Sequence, residues 1–192
     1  MMSDEKRFYL FSPGNRKNDV VWASNASIVP TKPRVAHSPS IHVWGGITRY
    51  GKTPLVNIEG TLNAAGYQSI LNGTMLPTAR QLFGRGAWWF QQDGAPVHTA
   101  KSTQQWLTKK KLKFIPKADW PANSPDANSI ENLWAILDDK VRARRPRSVD
   151  ALWRLVQEEW NAIPLSTIEN LIDSQPARLA AIRSARGGHT KY

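Results

Sequence analysis

Residues 87–100 read AWWFQQDGAPVHTA, and the fold can be built outward from them. The aromatic run Ala87–Gln91 favours a buried strand, and residues 92–96 carry the Asp-Gly and Pro signals of a turn. A helix is expected next, over Thr99–Lys111, with its basic residues near the carboxyl end. A buried strand that ends on an acid and leads through a turn into a helix is typical of an α/β domain.

A second stretch that determines the fold begins near Asn128 or Ser129, where an amphipathic helix is expected. Its apolar residues recur with helical spacing and predict one buried stripe, formed by Ile130, Leu133, Trp134, Leu137 and Val141. Glu131 lies in the first turn, beside this stripe. The helix should therefore bring one acid to the edge of the core without burying it completely.

The N-terminal third reads as strands. Asp4 lies in the first strand, which starts with hardly any leader and is therefore expected to be truncated, with Asp4 loosely held. Ile41–Ile47 predicts a strand and Pro54–Ile58 its hairpin partner, while residues 14–40 are read as a long extended loop. The order of elements, with strands first, then alternating strands and helices, then helices, predicts one α/β domain over residues 1–192.

Composition restricts the classes of function. There are 26 Lys and Arg against 15 Asp and Glu, a net charge of +11, which favours a polyanion such as nucleic acid over a merely solvated basic face. The absence of Cys excludes disulfides and thiolate-ligated metals. Without an apolar run of about 20 residues or a signal-peptide pattern, we expect an intracellular chain without a membrane partner.

Three acids stand where their carboxylates can converge: Asp4 in a strand, Asp93 at a strand end and Glu131 on a neighbouring helix. Carboxylates placed together repel each other, and a hard divalent cation relieves that repulsion. Two such ions can stabilise the attacking and leaving oxygens of a phosphoryl displacement. Taken singly, each acid has an ordinary alternative, as a turn residue or as a partner of the helix dipole.

Basic residues form two runs around the third acid, and both are candidates for contact with DNA phosphates. The alternatives are a solvated face or a nuclear import patch. The candidate nucleic-acid-binding residues of these runs are Lys109, Lys110, Lys111, Lys113, Arg142, Arg144 and Arg145.

Several phrases of the sequence closely resemble the Tc/mariner superfamily of transposases, in order and over essentially the whole chain. They are SDEKRF (3–8), VWGGI (43–47), QQDGAPVHTA (91–100), DWPANSPDAN (119–128), IENLW (130–134) and GHTKY (188–192). The resemblance implies a ribonuclease H-like fold, with a mixed central sheet flanked by helices, and a catalytic, metal-binding triad of Asp4, Asp93 and Glu131. Positions 93 and 131 differ by 38 and so leave 37 residues between them, which is typical of a long-spacing subgroup.

The resemblance also implies cofactors and partners. It implies Mg²⁺ or Mn²⁺, as two ions, and DNA as the substrate, with transposon ends and a TA target. It implies a homodimer on DNA, to which residues 14–40 contribute, and no small-molecule substrate. In a eukaryotic host the chain would act in the nucleus, and otherwise with the chromosome inside the cell.

Two assignments have alternatives. Asp126 is the rival to Glu131 as third acid, but the family motif places it in the loop before the helix, where it holds the turn or caps the helix. His98 either contacts DNA, orients the turn around Asp93, or is a plain histidine near a helix start.

The sequence departs from the family at its N-terminus. Nothing in it corresponds to the DNA-binding helix-turn-helix region of family members, so the chain is interpreted as a fragment with weak activity and without end-specific binding. A catalytically inactive remnant that only binds nucleic acid or a transposase partner is the alternative function, and a plain metal-dependent nuclease is a third.

Overall fold

The computed structural model describes residues 1–11, 25, 38–119, 125–185 and 190. Apart from positions 25 and 38–40, the predicted loop of residues 14–40 lies outside the described residues. The strands are β1 (Met2–Tyr9), β2 (Ser40–Thr48), β3 (Gly51–Lys52) and β4 (Val56–Asn57). The helices are α1 (Ala64–Ile70), α2 (Leu76–Phe83), α3 (Pro96–Thr99), α4 (Lys101–Lys109), α5 (Ser129–Ala143), α6 (Val149–Ala162), α7 (Leu165–Asp173) and α8 (Gln175–Ala185), with a π-helical turn, Leu71–Met75, joining α1 to α2.

The sheet is mixed, as the sequence predicts. β1 pairs antiparallel with β2 along all eight of its residues, and β2 also pairs with β3 and β4. On the other side of β1 the chain continues in parallel, through a bridge from Met2 to Gln91 and then one from Phe90 to Phe114. β1 is therefore an interior strand with neighbours on both sides.

Helices cover both faces of the sheet. Successive strand residues point to opposite faces, so Val43 packs with α5, α6 and α7 while Trp44 packs with α1 and the residues beyond it. The predicted stripe of α5 is confirmed, because Ile130, Leu133, Trp134, Leu137 and Val141 are all buried. None of the helices in the described residues is long and apolar enough to cross a membrane.

The aromatic run before Asp93 is only partly the buried strand that its composition predicts. Phe90 and Gln91 are buried and make the bridges, whereas Trp89 is 58% exposed. The prediction was wrong for Trp89 because a strand that pairs through two residues has a short buried segment, and side chains outside it are free to face solvent.

Gly45 makes room for the side chain that reaches Asp4. It lies opposite Asp4 in the β1–β2 ladder, and a Cβ at this position would lie 2.8 Å from Cη2 of Trp134 and 3.0 Å from Cδ2 of Leu55. We expect Gly45→Ala to lower the free energy of unfolding by about 1–3 kcal/mol, since Trp134 must move within a packed core. Chemical denaturation measures this effect.

Gly73→Ala is the matched control, because nothing lies within 4 Å of a Cβ built at Gly73. That variant should be as stable as the parent or more so, since alanine favours a helix over glycine by about 1 kcal/mol. Equal losses in the two variants would contradict the close packing of Trp134 on Gly45.

Candidate active site

Asp4 is held firmly, in contrast to the loose placement expected from a truncated strand. Its strand is hydrogen-bonded to β2 on one side, and on the other Ser3 N donates to the carbonyl of Gln91 at 3.0 Å. The Asp4 side chain is 7% exposed, and its Oδ2 accepts a hydrogen bond from Nε1 of Trp134 at 3.1 Å. The indole of α5 thus fixes the orientation of the carboxylate.

Asp93 follows directly from the strand that runs beside β1. The parallel bridge joins Met2 to Gln91, so Asp4 and Asp93 each follow this bridge by two residues on their own segment of chain. Oδ1 of Asp93 accepts from the backbone N of Ala95 at 2.9 Å, which closes the turn and sets the side-chain rotamer. The side chain remains 43% exposed, as a residue that meets a ligand must.

His98 links Asp93 to an acid that the sequence analysis did not select. Its ring is 1% exposed and donates from Nδ1 to Asp93 Oδ1 at 2.6 Å and from Nε2 to Glu5 Oε1 at 3.2 Å. Burial by itself would lower the pKa of His98, but the hydrogen bonds to Asp93 and Glu5 and their negative charges raise it to about 9. The imidazolium lies between two carboxylates, as expected for an orienting residue.

Three neighbouring side chains, those of Gln92, Gln104 and Tyr67, hold His98 in place. The carbonyl of His98 accepts from Nε2 of Gln92 at 3.3 Å and from Nε2 of Gln104 at 2.6 Å. Tyr67 lies against the imidazole, with ring centroids 4.2 Å apart, and donates its hydroxyl hydrogen to Oε1 of Gln92 at 2.8 Å. With a buried ring and so many partners, His98 matches the interpretation in which it orients the turn of Asp93, and it is poorly placed to contact DNA.

Glu131 occupies the first turn of α5, as predicted. Its backbone N donates to the carbonyl of Asn128 at 3.0 Å, and it is half-buried. Oδ2 of Asp126, the rival third acid, accepts from Oγ1 of Thr190 at 2.5 Å. The charge of Glu131 acts on Asp4, and Asp126 is not among the groups that shift the pKa of Asp4, which favours Glu131 as the third acid.

The charges of the acids interact. Burial is the largest cause that raises the pKa of Asp4 from 3.8 to about 8. The negative charges of Glu131, Glu5 and, more weakly, Asp93 act in the same direction. The hydrogen bond from His98 lowers the pKa of Asp93, as does that from Ala95 N, against the opposing effect of burial. The charged form of Asp4 is therefore destabilised, while the charged form of Asp93 is stabilised.

The carboxylate oxygens of Asp4, Asp93 and Glu131 are of the chemical type that binds a divalent cation such as Mg²⁺. Within the described ranges no three acidic or histidine side chains already lie close enough together to hold an ion. The negative charges of Glu131, Glu5 and Asp93 around Asp4 would nevertheless be relieved by a divalent cation. Mg²⁺ takes one or two carboxylates and keeps water in its remaining positions, so a closed protein cage is not required.

The two basic runs differ in their surroundings. Lys109, Lys110, Lys111 and Lys113 are exposed, and Lys110 lies 5.5 Å from the ring centre of Trp106. In the second run, arginine side chains are already paired with acidic side chains of the same chain. Arg144 Nη1 contacts Glu158 at 2.6 Å and Glu159 at 3.1 Å, and Arg142 pairs with Asp138 at 2.8 Å.

Comparison with known proteins identifies the family. Residues 22–153, a stretch that contains Asp93 and Glu131, match the model described as DDE superfamily endonuclease. The chain is 38% identical over 192 residues to the Tc1 transposase of Caenorhabditis elegans, covering 99% of this chain and 69% of that protein. The chain belongs to the Tc/mariner family of DDE transposases. It is also 37% identical over 153 residues to the Tcb2 transposase of Caenorhabditis briggsae, covering 80% of this chain and 55% of that protein.

Solved structures agree on the fold of this Tc/mariner domain. The catalytic domain of Mos1 mariner transposase superposes with a TM-score of 0.73 at 19% identity, covering 98% of this chain and 82% of that chain. A Mos1 mariner paired-end complex with Mn superposes with a TM-score of 0.77 at 21% identity, covering 98% of this chain and 56% of that one. The predicted ribonuclease H-like fold is confirmed, and the chain is a transposase catalytic domain.

Proposed function

We propose that this Tc/mariner domain cleaves DNA phosphodiester bonds and joins the freed 3′ end to target DNA, using a divalent cation held by Asp4, Asp93 and Glu131. The observation that carries the proposal is the placement of Asp4. It is a buried carboxylate that lies two residues past the bridge between β1 and the segment leading to Asp93, and the charges of Glu131, Glu5 and Asp93 act on it. Such an arrangement is costly for folding and fits a cation site.

The chemistry proceeds in two balanced displacements. In the first, water attacks phosphorus, the bond to the 3′ oxygen breaks, and the water proton passes to solvent while the leaving oxygen is protonated. In the second, that 3′ hydroxyl attacks a target phosphodiester and releases a new 3′ hydroxyl. The cation is proposed to be Mg²⁺ or Mn²⁺, and the family's pattern implies two ions. When bound, it would activate the nucleophile and stabilise charge on the phosphate oxygens.

The residues of this chain supply position. Trp134 orients Asp4 through its indole N–H, and His98 fixes one oxygen of Asp93, so the other carboxylate oxygen is directed away from the imidazole. We infer that Glu5 acts through His98 and does not hold the cation itself. Precise placement is decisive, since an error of about 1 Å can cost about 100-fold in rate.

The partners follow from charge and family. With a net charge of +11, we propose DNA as the substrate, with a TA target and a homodimer as the active form. Mos1 has been captured with a transposon end in a paired-end complex, and a similar arrangement is proposed for this chain. In a eukaryotic host the reaction would take place in the nucleus.

Replacing Lys109, Lys110 and Lys111 together by Ala should weaken DNA binding at every sequence. Each lost phosphate contact should reduce the slope of log K against log salt by about 0.9, which fluorescence anisotropy at several salt concentrations measures. The matched variant replaces Arg142, Arg144 and Arg145. It should change the slope less, because two of those side chains are already paired with acids. A larger change in the arginine variant would contradict this assignment of the DNA surface.

The test of the proposed function is a joining assay. The chain is incubated with Mn²⁺, a labelled duplex with a free 3′ hydroxyl, and a supercoiled plasmid as target. Covalent transfer of label to the plasmid is expected. Plasmid cleavage without transfer would mean a plain nuclease, and salt-dependent binding without either would mean an inactive DNA-binding remnant.

A further inference from the structure

Arg178 is the buried residue of α8, at 3% exposed. A guanidinium out of contact with water is costly unless its donors are satisfied by hydrogen bonds. α8 carries no acid of the candidate site, so the metal chemistry proposed above does not explain why a charge is buried there. The partners of Arg178 point to its role.

Arg178 donates hydrogen bonds to residues on both sides of Glu131 in the chain. Nη1 donates to Oδ1 of Asn132, the residue directly after Glu131, at 2.8 Å. The same atom donates to the backbone carbonyl of Asp126, in the 3₁₀ turn before α5, at 3.3 Å. Nε donates to Oγ of Ser174 at 2.7 Å, which anchors the guanidinium to the α7–α8 corner.

Other contacts from the same C-terminal region hold the same few residues. Nε2 of Gln175 donates to the carbonyl of Ala127 at 2.8 Å, and Oγ of Ser129 donates to the carbonyl of Leu171 at 3.0 Å. The turn before α5 is thus tied at successive positions to the α7–α8 corner.

The start of α5 depends on these external contacts. Asn128 occupies the N-cap position, yet its side chain makes no capping hydrogen bond, and its buried Oδ1 has no partner among the described residues. A helix whose own N-cap side chain is not used needs other groups to fix its first turn. Glu131 lies in that first turn.

We propose that Arg178 is a positioning residue for Glu131: by holding Asn132 and the carbonyl of Asp126 together, it sets where the first turn of α5 presents the third acid. This rests on the proposed metal-dependent function. In this role Arg178 acts on Glu131 through the side chain of Asn132 and the backbone carbonyl of Asp126, and not as a ligand of the cation. Residues that support metal ligands in this way typically change metal affinity or activity by about 10- to 100-fold when replaced.

The test compares Arg178→Met with Ile168→Val. Ile168 is a buried α7 residue of the core, and its substitution lowers stability without touching the polar contacts. Two quantities are measured at a temperature where all variants are folded: Mn²⁺ affinity by calorimetry without DNA, and the Mn²⁺ concentration for half-maximal joining. We expect Arg178→Met to weaken both by about 10-fold or more while KM for DNA changes less than about twofold, and Ile168→Val to change neither.

Two further variants change the contact between Arg178 and Asn132. Arg178→Lys retains a cationic donor and should recover part of the Mn²⁺ affinity. Should Arg178→Met fail to fold, Asn132→Ala removes the same contact from the other side and should weaken Mn²⁺ binding in the same direction.

Unchanged Mn²⁺ affinity in both Arg178→Met and Asn132→Ala, with only a lower unfolding temperature, would overturn this inference and leave the proposed function standing. An unmodified chain that neither binds Mn²⁺ nor joins DNA would overturn the proposed function and this inference with it.

Discussion

Asp93→Asn is expected to abolish metal-dependent cleavage and joining, with a loss on the order of 10³-fold or more, as for other groups that act together in a catalytic unit. The amide can still accept the hydrogen bond from Ala95 N that closes the turn, so the fold should survive. The negative charge that His98 holds in place is lost. Initial rates of the joining assay under Mn²⁺ measure the effect.

Asp139→Asn is the matched control, because it removes the same charge from an exposed position on α5. Its rate should stay within about twofold of the parent, since an exposed carboxylate two turns beyond Glu131 does not face the site. If both variants kept the parent rate, the carboxylate of Asp93 would have no part in the chemistry.

Asp4→Asn should have two opposite effects: joining is lost, and the metal-free chain becomes more stable. The pKa of Asp4 is raised, by burial first and then by neighbouring acids, from 3.8 to about 8, so charging this side chain costs the native state several kcal/mol. Asparagine removes that cost and still offers Trp134 an acceptor. A gain of 1 kcal/mol corresponds to about 2–4 °C in the unfolding temperature at this size.

The pH dependence of that gain has a definite sign. A pKa raised on folding means that the native state binds the proton more tightly than the unfolded state, so the parent loses stability as pH rises from about 4 to about 8. The advantage of Asp4→Asn should therefore grow over this range. Thermal unfolding in the presence of a chelator measures it, and a variant less stable than the parent at neutral pH would contradict the cost assigned to Asp4.

The sequence predicted most of the scaffold, because its periodic signals are strong. The stripe of α5 repeats at helical spacing and is buried as expected. The strand over residues 41–47 appears as β2, Ser40–Thr48. Trp89 was misplaced because an aromatic residue next to a buried strand carries no signal of where pairing stops.

The three acids were predicted from their flanking residues, and the residues that contact them in the structure were missed for a physical reason. Glu5 follows Asp4, and alternation along the strand sends it to the opposite side, where only the fold brings it to His98. The hydrogen bond from Trp134 to Asp4 spans 130 residues. Contacts over such separations leave no local pattern, and Arg178 reads in sequence as one more surface cation.

The most direct measurement is the anomalous diffraction of crystals soaked in Mn²⁺. We expect a peak coordinated by carboxylate oxygens of Asp4, Asp93 and Glu131, and we expect it to disappear in Asp93→Asn. An ion bound elsewhere, or the same peak in Asp93→Asn, would contradict a catalytic site built on these three acids.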